Sequence, residues 1–88
     1  LKLGAFEKPF LYLPFEHSEA PADQDLSVAL FEGLRDVAHH ARANGAIDYA
    51  WRHRVVIQDF GRFPHRNAAL GRVSSPAEQA WLDAGGGF

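Results

Sequence analysis

The stretch 26–61, LSVALFEGLRDVAHHARANGAIDYAWRHRVVIQDFG, decides the fold. Leu26, Ala29, Leu30, Leu34, Val37 and Ala41 recur at three- and four-residue steps, the spacing that lines up side chains on one face of an α-helix. Asn44-Gly45 follows, a pair that tolerates left-handed backbone and so stops helices. A second stripe begins at once with Ala46, Tyr49, Ala50, His53, Ile57 and Phe60, with Val56 beside it, and Gly61 ends it. Two long helices joined by a few residues pack as an antiparallel hairpin.

Working outward, the first long helix starts at Ser18 or Ala20, with Pro21 in its first turn and Asp23 and Asp25 at the positive end of its dipole. His39, His40 and Arg42 fall in its last turn, where cations are favoured. Upstream, Leu3 to Leu13 reads as a short helix with Phe6, Phe10 and Leu13 on one stripe, Pro9 as a blemish and Pro14 as its stop. Downstream, Arg62 to Arg72 is irregular, and Phe63-Pro64 predicts a sharp bend. Ser75-Pro76-Ala77-Glu78 combines an N-cap serine, a first-turn proline and a capping-box glutamate. It opens a last short helix carrying Ala80, Trp81 and Leu82. No stretch alternates with a period of two. The fold class is all-α: an antiparallel helical hairpin with flanking short helices, in one domain over residues 1–88.

Composition narrows the function classes. At 88 residues and 9.8 kDa the chain is too short for a multidomain enzyme, and 47% hydrophobic residues exclude disorder. Zero cysteines remove disulfides, thiolate metal sites and thiol catalysis. No apolar run is long enough to span a membrane and no signal peptide opens the chain. The expected compartment is the cytoplasm. Net charge is -2, unevenly spread: residues 1–50 carry -4, residues 51–72 carry +4 and the rest carry -2. All five basic residues of the middle block are arginine, suited to bidentate contacts with carboxylate or phosphate.

The hairpin topology brings distant polar residues together. The first long helix runs away from Glu16-His17-Ser18-Glu19, and the second returns to the same end, delivering Arg62-Phe63-Pro64-His65-Arg66-Asn67. The candidate ligand-binding residues are therefore His17, Glu19, Arg62, His65, Arg66 and Asn67. Three readings stand open. An Arg–Glu network with an asparagine cap, the loop held by Arg66 to Glu19 or Glu16, can be a purely architectural clamp. Converging arginines can bind a small anion. His17 or His65 can serve as an acid–base group. His53, inside the apolar stripe, is first a core histidine, with His17 and His65 as its best-placed partners for any ligand role. No histidine pair has in-helix metal spacing, so no metal is expected. Phosphate-loop and nucleophile-elbow patterns are missing and no cofactor is expected. Trp51 and Val55 point away from the His53 stripe and mark either scattered apolar surface or a contact.

Three segments are familiar together: Pro14-Phe15-Glu16-His17-Ser18-Glu19, Ser27-Val28-Ala29-Leu30-Phe31-Glu32, and Phe60-Gly61-Arg62-Phe63-Pro64-His65-Arg66-Asn67-Ala68-Ala69-Leu70-Gly71-Arg72. From about Phe10 to Leu82 the chain resembles the C-terminal half of the bacterial family catalogued as domain of unknown function 924. The resemblance implies an all-helical, tetratricopeptide-repeat-like fold and a longer family domain whose N-terminal half supplies further helices. It implies no established activity. The expected function is a helical binding or scaffold module for a peptide or partner protein, with homodimerisation expected from the apolar content. The alternative is a small-anion-binding protein or enzyme using the His/Glu/Arg residues. The negative net charge argues against nucleic acid, despite arginines interleaved with Trp51, Phe60 and Phe63.

Overall fold

A computed structural model describes residues 8–88. Among the described residues five α-helices follow in order, α1 (Lys8–Glu16), α2 (Pro21–Glu32), α3 (Ala38–Ala41), α4 (Ala46–Phe60) and α5 (Pro76–Asp83), with a 3-10 turn at Pro64–Arg66. The fold is all-α, and there is no strand among the described residues.

The hairpin is formed by α2 and α4, and the side-chain pairs across it give its sense. Glu32 at the end of α2 accepts from the Trp51 indole at 2.6 Å, while Asp25 near its start pairs with Arg54 at 2.8 Å. Moving forward along α2 thus moves backward along α4. Between them lie Val28, Phe31, Leu34, Ile47 and Ala50, with Tyr12 of α1 packed edge-on against Phe31 at 5.3 Å. A second cluster of Val56, Ile57 and Phe63, flanked by Phe60 and Trp81, closes the other end.

Four expectations are corrected. Pro14 does not stop α1, which continues to Glu16. The N–H that proline lacks would have met the carbonyl of Phe10, a residue 72% exposed, so water can serve that group. Phe10 therefore faces solvent instead of a buried stripe, and α1 turns Tyr12 and Glu16 inward. Leu3 and Phe6 lie outside the described residues.

The second correction concerns length. The first long helix ends at Glu32, and residues 33–36 form turns closed by Leu34 N–H to Phe31 and Arg35 N–H to Glu32. Gly33 weakens the helix there, and an extended Val37 restarts the chain as the short α3. His39 and His40 thus belong to a separate turn of helix.

Third, the buried face of α2 is rotated from the one expected. Gln24, Ser27, Val28 and Phe31 are buried, whereas Leu26 is exposed. The reason is polar: the Gln24 amide donates to the carbonyls of Glu16 and Ser18 at 2.6 and 2.7 Å, satisfying groups left open where α1 ends. Fourth, Ile47 is fully buried in α4 while Tyr49 is not.

The remaining punctuation holds. Asn44 is left-handed (φ 61°), Gly61 caps α4 at φ 74°, and Ser75 and Glu78 form the reciprocal capping box of α5.

Candidate functional site

The two polar segments meet, 44 and 49 positions apart in sequence. The Phe63 N–H donates to Glu19 Oε2 at 2.6 Å, and Arg66 Nη1 donates to the His17 carbonyl at 2.9 Å. Gly61 makes this possible: its left-handed turn ends α4 and aims Phe63 back beneath the start of α2, where it is fully buried.

Each candidate residue has a definite place. Glu19 lies at the centre of a clamp completed by Arg72, whose Nη1 and Nη2 reach its two oxygens at 2.7 and 3.1 Å. Arg72 also donates to the Phe63 carbonyl and to Asn67 Oδ1. The hydrogen bond from Arg72 holds the Glu19 carboxyl below the usual carboxylate range. Asn67 is buried and spends its amide on the Ser74 hydroxyl. Arg62 turns away to a bidentate pair with Glu78, 2.7 Å at both oxygens, and to the Val73 carbonyl. That pairing, aided by the Ser75 N–H, pulls the Glu78 carboxyl down to about 2. His17 is half-exposed and His65 exposed, both on the face where Arg66 lies over the Phe63 ring at 4.7 Å. Burial, and then Arg66, lower the pKa of His65.

Arg72 and Glu16 are participants not named among the candidates. Arg72 closes the family-like segment Phe60 to Arg72, and Glu16 opens the acidic elbow. Neither spacing nor periodicity says that Arg72, five residues past Asn67, turns back to Glu19.

Glu16 ends α1 facing α4. Its carboxylate is buried and receives no hydrogen bond among the described residues; burial pushes its pKa up to about 7. His17 Nε2 lies 3.7 Å from Glu16 Oε1, and His53 Nδ1 lies 3.8 Å from the same oxygen. His53 is buried in α4, its Nδ1 2.6 Å from the Tyr49 carbonyl, and burial lowers its pKa. The Phe88 ring stacks on His53 at 3.7 Å and meets His65 edge-on at 5.5 Å.

Phe88 also borders an apolar groove of about 380 Å³, whose other walls are Trp51, Val55, Val56 and Trp81, with Arg52 at the rim. Gly86 fits here because a Cβ would strike the Trp81 ring at 2.3 Å. Trp51 and Val55, the outward apolar residues of α4, thus share one concavity with α5.

Three comparisons bear on this chain. The sequence profile described as "Bacterial protein of unknown function (DUF924)" matches residues 1–86. No curated protein matches. A solved structure of a protein of unknown function from Agrobacterium tumefaciens is 36% identical, with a TM-score of 0.73, over 86% of this chain and 39% of that one. The chain thus spans well under half the length of that relative.

Proposed function

From the premise that this chain belongs to the bacterial family of unknown function DUF924, we propose that it is a helical binding module for a partner protein segment. The segment is apolar on one side and acidic on its flank. The groove between α4 and α5 carries this reading. Trp51, Val55 and Trp81 offer exposed or half-exposed apolar surface in one concavity, and Arg52 stands at its edge. Aromatic anchors inside a charged rim suit the central contacts of a protein interface. Arg52, the arginine that lines the groove, supplies the charge preference. The hairpin is taken as one tetratricopeptide-repeat-like unit of a longer domain, acting in the cytoplasm. No described helix is long and apolar enough to cross a membrane.

Selection from a phage-displayed peptide library tests this. Enriched peptides should pair aromatic or aliphatic residues with Asp or Glu, and Val55→Asp should abolish their binding while leaving the melting temperature unchanged. Val55 is 46% exposed, so the new carboxylate stays solvated. Enriched peptides that bind Val55→Asp equally well, or no enrichment, would overturn the reading. Light scattering distinguishes a second copy as the partner: a dimer mass that Val55→Asp halves would put the homodimer in the groove.

A second reading, a small-anion site or enzyme, is favoured by one observation. No described carboxylate lies within ion-pair distance of Arg66, which shares its face with His17 and His65. Inorganic phosphate should then raise the melting temperature of the wild type and not of Arg66→Gln. Equal shifts in both would sink it.

A further inference from the structure

We infer that Glu16, His17 and His53 form a binding site for a divalent transition-metal ion of the zinc class, where α1 ends against α4. This inference is independent of the groove. One ligand atom from each residue lies within 4.8 Å of the others, and the two measured separations from Glu16 Oε1 are 3.7 and 3.8 Å. Ligand atoms around a tetrahedral ion with bonds near 2.1 Å stand about 3.4 Å apart, so side-chain rotation alone can close the set.

A second observation points to a cation. The Glu16 side chain is only 7% exposed, and among the described residues no N–H or O–H donates to its carboxylate. A buried carboxylate without donors is costly, and coordination to a cation is one of the few ways to compensate it. Two imidazoles and a carboxylate are a donor set suited to zinc and its neighbours, with the fourth position left to water.

Each residue can enter without breaking the fold. His17, half-exposed, gives the ion a route from solvent. His53 Nδ1 contacts the Tyr49 carbonyl, but that carbonyl is four residues back in the same helix and keeps the backbone N–H of His53. As it stands Nδ1–H donates to that carbonyl. To take the metal, Nδ1 gives up this proton to solvent and the ring rotates off the carbonyl toward Glu16, in the tautomer protonated at Nε2, leaving the carbonyl still paired by the helix.

Titration calorimetry of the metal-free chain with zinc chloride, and absorption spectra with cobalt(II), test the site. One ion per chain should bind with a dissociation constant of about 10 μM or tighter, and cobalt should give the visible bands of a four-coordinate complex. His17→Ala, at an exposed position, should melt like the wild type and bind at least about tenfold more weakly. Glu16→Gln keeps the side-chain shape and should lose the ion as well. His39→Ala, at the opposite end of the hairpin, should bind as the wild type does. Absence of saturable binding, wild-type affinity in His17→Ala, or an equal loss in His39→Ala would overturn the inference; Glu16 would then be a carboxyl kept buried by holding its proton.

Discussion

Replacing Glu19 with alanine leaves the Phe63 N–H and the Arg72 guanidinium facing one another with no acceptor between them. Both interactions are part-buried, and a charge-assisted hydrogen bond lost at such a place costs about 2 kcal/mol. Glu19→Ala should therefore lower stability by about that amount in urea titration. Arg54→Ala, which breaks an ion pair to the exposed Asp25, should cost under about 0.5 kcal/mol. The same carboxylates set the acid limb. Glu78 falls from 4.5 to about 2 on folding, and Glu19 is lowered as well. The unfolded chain therefore takes up protons before the folded one does. Their contribution is complete above about pH 4.5 and drains away as the pH falls toward 2. Urea midpoints followed down this range should decline, and Glu78→Gln should flatten part of the decline.

At the scale of elements, local chemistry and tertiary packing divide the helices between them. The start of α5 is written in adjacent residues, and the capping box, first-turn proline and helix appear together at Ser75, Pro76 and Glu78. Ser75→Ala should destabilise the protein by about 1 kcal/mol, read from denaturant midpoints. It removes the acceptor for the Glu78 N–H without touching the core. The ends of α1 and α2 were not legible in the same way. Pro14 looked like a stop, yet the exposed position of Phe10 lets the helix pass it. The apolar stripe ran unbroken from Leu26 to Ala41, yet α2 ends at Glu32 and Leu34 reaches the core beyond a break. The apolar periodicity of α2 picked Leu26 over Ser27, because periodicity scores hydrophobicity and cannot see that Gln24 must lie inward to serve the end of α1.

For the whole molecule, Phe63 is the side chain that joins the bend to the hairpin. It is fully buried, packs with Val56 and Ile57, and meets the His53 ring edge-on at 5.6 Å. Phe63→Ala should cost about 3–4 kcal/mol, much of the stability of so small a domain, and broaden or abolish the thermal transition. Sequence by itself determined the helical class, the return of α4 along α2, the caps at Asn44, Gly61 and Ser75, and therefore the meeting of the Glu16–Glu19 elbow with the Arg62–Asn67 bend. These follow from spacing, turn chemistry and helix length, which act over a few residues or along one axis. Which guanidinium takes which carboxylate was decided only in three dimensions. Arg62 goes to Glu78, Arg72 to Glu19 and Arg66 to a backbone carbonyl. Glu16 meets His53 for the same reason. Pairing energies depend on distances of a few ångströms between side chains from separate elements, and those distances exist only once the helices have packed.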